Sequence, residues 1–265
     1  MATIIDQVTL RTGVADWLNR SDLTDAQIDD FVAIGEARIY EDLRVPTLEV
    51  VQSFTVTAGN ASIIIPAGFI EMIELKLDGG ADKDDDIVLS RIDSKTFSNN
   101  KIKNAYTRQA GSFLLTDNNG NQDTGGTYVM TYFKAEDPIG TYATATTAAG
   151  AFVVGKYYKI AVAGNTTWTN HGSANNNVGT IFKATSQVTG TGTAYIETIP
   201  YILSSEFEIV LYAACQSASV YLGDVEMESK FDALTLNKIN ALNQKELRAS
   251  MAGGSFSAQF STPLL

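Results

Sequence analysis

The hydrophobic period of the chain changes at Pro46, and this change constrains the fold more than any other feature. Before it, apolar residues recur at helical spacing. Thr24 with Gln27 three positions on makes a capping box, the signature of a helix start. That helix should run to about Arg44, with Ile28, Phe31, Val32, Gly35, Ile39 and Leu43 on one face and Glu36, Glu41, Asp42 and Arg44 pointing elsewhere. Asp25, Asp29 and Asp30 lie near the positive end of its dipole. An earlier helix over about Thr3 to Leu18 offers Ile4, Ile5, Val8, Val14, Trp17 and Leu18 as contacts, with Gly13 weakening its middle. Pro46 pushes Val45 out of the helical region and closes the hairpin.

From Thr47 the segments read as strands. "VVQSFTVTAGNASIIIPAGF" predicts a strand, a turn at Ala58–Asn60 and a second strand closed by Pro66. "IEMIELKLDGG" predicts another. "DSKTFSNNK" fits a short helix or an irregular loop, and "GSFLLTDNNGNQDTGGTYVMTYFK" a hairpin with a wide Gly- and Asn-rich turn. Strands that follow one another so closely point to an antiparallel sheet or small barrel. Residues 141 to 197 are rich in Thr, Gly, Ala and Asn and poor in charge, and the segments flanking them read well as neighbours without them. They predict a small β-module inserted into a host.

Pro200 opens a third helix, with Phe207, Val210, Leu211, Ala214, Ala218, Tyr221 and Leu222 as its stripe and Gly223 as its end. Asp224 can cap a fourth. Met227, Phe231, Leu234, Ala241 and Leu242 form one stripe there, and Val225, Leu236 and Ile239 sit well round the helix from it. A helix with two apolar sides has two things to pack against, so these three are candidate subunit contacts. A single-chain buried helix is the alternative. The fold class expected is α+β: a helical bundle from the N- and C-terminal helices, a central antiparallel β domain and an inserted small β-module. The domain boundaries expected are 1–46, 47–140, 141–198, 199–250 and a C-terminal arm over 251–265.

Few residues invite chemistry. The net charge of −11 disfavours a nonspecific grip on nucleic acid, which needs clustered Lys and Arg. The lone cysteine, Cys215, falls within an apolar helical pattern and cannot form an intramolecular disulfide. The lone histidine, His171, lies in a polar loop and cannot build a triad or His-rich metal site by itself. Glu71 and Glu74 could be imagined as a glycosidase pair, but such pairs need a cleft of set separation. Asp78 to Val88 carries several oxygen ligands without EF-hand spacing, and a solvated acidic turn explains it better. No catalytic residue, cofactor or metal is expected. If the insertion binds sugar, Trp168, Tyr157 and Tyr158 are its only candidate platforms, although a β-module core uses such residues too. The start of the sequence shows no secretory signal and no apolar span, so a reducing cytoplasm is the expected place of synthesis.

The hairpin "VADWLNRSDLTDAQIDDFVAIGEARIYEDLR" resembles the opening of the phage head-to-tail adaptor (connector) proteins of short-tailed phages. "LYAACQSASVYLGD" followed by "KFDALTLNKINALN" resembles their closing helical pair, and "IIIPAGFIEMIEL" and "GTYVMTYFKAEDP" fit their middle. Residues 141 to 197 depart from the pattern. The resemblance implies a virion protein at the head-tail junction, a homo-oligomeric ring commonly of twelve subunits. That ring would dock on the portal protein, continue the DNA channel without specific DNA binding, and receive a tail nozzle or other tail protein. It implies a portal-gripping C-terminal arm, here around Phe256, Phe260, Leu264 and Leu265. No membrane partner is implied. A carbohydrate-binding or cell-wall-degrading phage protein is the alternative.

Overall fold

The computed structural model describes residues 4–80, 86–99, 102–117, 119–121, 125–187 and 189–251. The chain forms two compact units, one from Met1–Leu43 with Asp137–Lys245, the other from Arg44–Glu136 with Glu246–Leu265. Helices and antiparallel sheets are both present, so the fold class is α+β. Among the described residues no helix is long and apolar enough to cross a membrane.

The first unit opens with α1 (Gln7–Leu18) and α2 (Asp25–Asp42). Asp6 caps α1 by accepting the Thr9 N–H at 2.8 Å, and Thr9 returns its side chain, so a second capping box stands where the sequence showed only a vague start. Thr24 caps α2 with Gln27 as its partner. After the sheet come α4 (Tyr201–Ser205), α5 (Phe207–Leu222) and α6 (Val225–Met251). The single helix expected after Pro200 is therefore two, broken at Glu206 (φ −133°, ψ 39°). Gly223, in the left-handed region at φ 71°, ends α5 as expected. α2 packs on α5 at a point where no side chain fits: a Cβ on Gly35 would lie 2.9 Å from the Ala213 carbonyl carbon. Glu36, expected to point outwards, is buried at 5% exposure and accepts the Ile139 N–H with both oxygens, at 3.1 and 3.2 Å.

The same unit carries a four-stranded antiparallel sheet, β9 (Tyr142–Ala148), β10 (Tyr157–Val162), β11 (Ile181–Lys183) and β12 (Thr193–Glu197), in the order β11-β10-β12-β9. One face closes over its own core of Phe152, Tyr158, Ile160, Trp168, Phe182 and Ala194. The other face presents Tyr157, Lys159, Ile181, Lys183 and Tyr195, in keeping with the two-residue period of strands.

The second unit stacks two sheets on one core. β1 (Glu49–Val56), β3 (Phe69–Leu77), β4 (Ile87–Val88) and β8 (Gly126–Lys134) form one, in the order β1-β8-β3-β4. β2 (Ser62–Ile64), β5 (Ser90–Arg91), β6 (Ala105–Gln109) and β7 (Ser112–Leu115) form the other, in the order β2-β7-β6-β5. Ile63, Phe113 and Leu115 meet Leu75, Tyr128, Met130 and Tyr132 between them. The segment expected as a hairpin is not one, since β7 and β8 lie in different sheets. Nor do β1 and β2 pair across the Ala58–Asn60 turn; each finds its partner far along the chain. One short pair, β5 with β6, is parallel. "DSKTFSN" is a helix, α3 (Ser94–Asn99), with Asp93 accepting the Thr96 N–H at 2.9 Å.

Candidate functional site

Residues 81–85 of the acidic Asp78–Val88 turn lie outside the described residues. Cys215 is buried in α5, and loss of solvent pushes its thiol up to about 12, far from a reactive thiolate. The His171 ring nitrogen Nδ1 sits 2.7 Å from the Ser186 hydroxyl, within the sheet region of the first unit. Glu71 is exposed and paired to Arg44 at 2.7 Å. Among the described residues no three His, Cys, Asp or Glu side chains gather to hold a metal. Trp168 and Tyr158 are wholly buried, so of the three candidate sugar platforms only Tyr157 reaches the surface.

The polar side chains of the first unit instead converge where the sheet meets the helices. Glu197, at the end of β12, is buried at 7% exposure. Its Oε1 accepts the Gln7 N–H, the first free donor of α1, at 3.0 Å. The Gln7 side chain donates to Asp29 at 3.0 Å, and Arg11 clamps Asp29 with its guanidinium while reaching Asp25 at 3.2 Å. Burial and the nearby Asp6 push the Glu197 carboxyl up, against the pull of the Gln7 N–H and Arg11. Burial and then Glu197 push the Tyr142 hydroxyl up as well. A cavity of about 200 Å³ adjoins this seam, lined in part by Ile5, Asp6, Val154, Tyr157 and Glu197. The seam ties β9 and β12 to the starts of α1 and α2. Sequence reasoning missed it because its members are scattered over 190 positions.

The proposed contact residues of α6 part company. Val225 is 73% exposed, Leu236 is half-buried and Ile239 is 2% exposed. The inward stripe of α6 is Phe231, Thr235, Ile239 and Leu242, so Ile239 packs within its own chain. Ala241, assigned to the inward stripe from sequence, is exposed. Val225 has exposed company: Val220 at 57% and Tyr221 at 61%, across the turn from α5. Tyr221 was expected inside. Its ring lies 5.4 Å from that of Phe31 and its hydroxyl accepts from Gln27 at 3.2 Å, so it lies over the outside of the bundle. The arm residues Phe256, Phe260, Leu264 and Leu265 lie outside the described residues.

The first unit is thus a capped helical bundle with a small sheet, and the second a β-sandwich. The family model described as SU10 adaptor protein matches residues 8–159, from α1 through the sandwich and into β10, and the chain belongs to that family. It is thus a bacteriophage adaptor, a structural component of the virion. No curated protein matches the chain.

Proposed function

We propose that this adaptor self-associates into a ring, of twelve copies by the family resemblance, below the portal at the head-tail junction. There it extends the DNA channel and presents its lower rim to the next tail protein. The family match over more than half the chain carries this reading. The net charge of −11 supports it, because an acidic wall repels phosphates and lets the genome slide. So do Val220, Tyr221 and Val225, apolar side chains left in solvent by the subunit alone. Residues 251–265 form the portal-gripping arm in this reading. Residues 141–198 are an insertion carried on the ring's outside. The chain assembles in the host cytoplasm and acts mechanically, without turnover.

Mass measurement tests this. The full chain, weighed by native mass spectrometry alone and after mixing with its cognate portal, should be monomeric alone and load the portal in multiple copies. Removal of residues 251–265 should abolish loading. A chain indifferent to the portal overturns the reading.

A further inference from the structure

The charge of the chain is unevenly placed. Residues 141–197 hold three lysines (Lys156, Lys159 and Lys183) and one acid (Glu197), a net +2 that leaves −13 for the rest of the chain's −11. Lys159 and Lys183 stand on the outward face of the sheet with Ile181 as the cross-strand partner of Lys159. Each lysine lies over a tyrosine ring, Lys159 5.8 Å from Tyr142 and Lys183 5.5 Å from Tyr157. These contacts hold the ammonium groups over a fixed surface. Elsewhere in the same unit Arg11, Arg20, Arg38 and Lys238 all pair with carboxylates of their own chain. Among the described residues, neither Lys159 nor Lys183 has an ion-pair partner.

The chain also carries a surface of opposite charge. On α2 the residues Ala26, Asp30, Ala33, Ile34, Ala37 and Glu41 fall within one stripe of about 100° by helical rotation, and all are exposed. Ile34 is 60% exposed at its middle. Asp30 and Glu41 flank it, and among the described residues neither has an ion-pair partner. Alanines between them leave the helix smooth enough for close approach. One surface sets an isoleucine beside two unpaired lysines, the other an isoleucine between two unpaired acids.

We infer that the Lys159–Ile181–Lys183 face of one copy docks on the Asp30–Ile34–Glu41 stripe of a second copy. The two patches differ, so the contact is head-to-tail and propagates, and it closes into a ring when the rotation per copy allows. Residues 141–197, carried on the outside of the ring, then also bridge neighbouring subunits there. This inference rests on the ring reading and supplies one of its contacts.

Charge swaps in the full chain test it. Variant one is Lys159→Glu with Lys183→Glu; variant two is Asp30→Lys with Glu41→Lys. All four positions are exposed, so both variants should keep the far-UV circular dichroism of the wild type. The readouts are copies loaded on the cognate portal, by native mass spectrometry, and self-association of the concentrated chain at low and high salt, by sedimentation. Each variant alone should associate about tenfold to a hundredfold more weakly than wild type, because two attractive pairs become repulsive. An equimolar mixture should regain association, since each variant's altered patch then faces a complementary one. High salt should weaken the wild-type contact. Wild type that loads the portal while both variants load equally well overturns this inference and leaves the ring reading standing. Wild type that neither loads nor self-associates overturns both. Loss in the variants without recovery in the mixture overturns the pairing of these two patches.

Discussion

The crossing of α2 with α5 and the core under the sheet of the first unit are packed with different residues. Where α2 crosses α5, Gly35 meets Ala213 and Ala214 with backbone against backbone, and charged groups outside are tied to one another. Arg38 of α2 pairs with Asp232 of α6, which also accepts from Gln216 of α5, so three helices share one carboxylate. The sheet closes on rings. Phe152 lies 4.4 Å from Tyr158 and 5.7 Å from Trp168, which lies 5.5 Å from Phe182. The Trp168 Nε1–H donates to the Ala163 carbonyl at 3.0 Å, so no polar atom of that ring is stranded. The contrast is one of tolerance. A helix crossing built on a missing side chain fails by addition, whereas a core built on large rings fails by removal.

Removal should give the largest effect. Trp168 is wholly buried, and Trp168→Ala should cost about 3–5 kcal/mol and leave the Ala163 carbonyl with only the longer bond from the Thr166 N–H, at 3.4 Å. Calorimetry should show a separate early transition while far-UV circular dichroism retains the helical signal. A single cooperative transition shifted as a whole would mean that sheet and helices do not differ in this way. Addition comes next. Gly35→Ala gains about 1 kcal/mol of helix propensity, yet its Cβ has 2.9 Å to the Ala213 backbone, which cannot rotate aside. A net loss of about 1–3 kcal/mol is expected in chemical denaturation. A stabilised variant would show that α2 and α5 move apart at no cost.

Smaller still is the shared carboxylate. Arg38→Ala removes an ion pair whose side chains are about one-third exposed, which limits the loss to about 1 kcal/mol, less at high salt. The salt dependence separates a lost charge from lost packing of the arginine stem.

The same contrast explains what the sequence announces. The ends of α2 are legible because capping is local: Thr24 and Gln27 are three positions apart, and Pro46 acts on its immediate neighbour. Sheet pairing is not, because a strand's partner is chosen by the whole core. β1 and β2 lie close in sequence but join different sheets, and both partners of β8 are distant in the chain. The inward face of α6 was misread for a polar reason. Thr235 is fully buried in the middle of that face, its hydroxyl donating to the Phe231 carbonyl at 2.9 Å. A stripe broken by Thr does not count as apolar, so the sequence pattern sets Ile239 well round the helix from its stripe. Glu36 misled in the same way, since the Ile139 N–H that lets it be buried lies 103 residues on. Of the candidate site, Val225 was legible as an unburied apolar residue. The Arg11–Asp29–Gln7–Glu197 seam was not, since nothing local marks Glu197 for burial.

That seam joins the two kinds of packing, and its effect should be the smallest and opposite in sign. Burial, with Asp6 beside it, raises the Glu197 carboxyl above its ordinary value of 4.5. Above its raised folded value the buried carboxyl carries a charge in the folded chain, and burial makes that charge costly there. As pH falls through the raised folded value, the folded chain takes up a proton before the unfolded chain does. This contribution therefore favours folding progressively down to the unfolded value, below which both states are protonated. Glu197→Gln keeps an oxygen to accept the Gln7 N–H and discards the charge. It should raise Tm by about 1–2 °C at pH 7, and the difference from wild type should shrink as pH approaches the unfolded value. A loss of stability at pH 7 would mean that the negative charge itself holds α1 to β12, through the helix dipole or Arg11, and that the seam depends on ion pairing as the helices do.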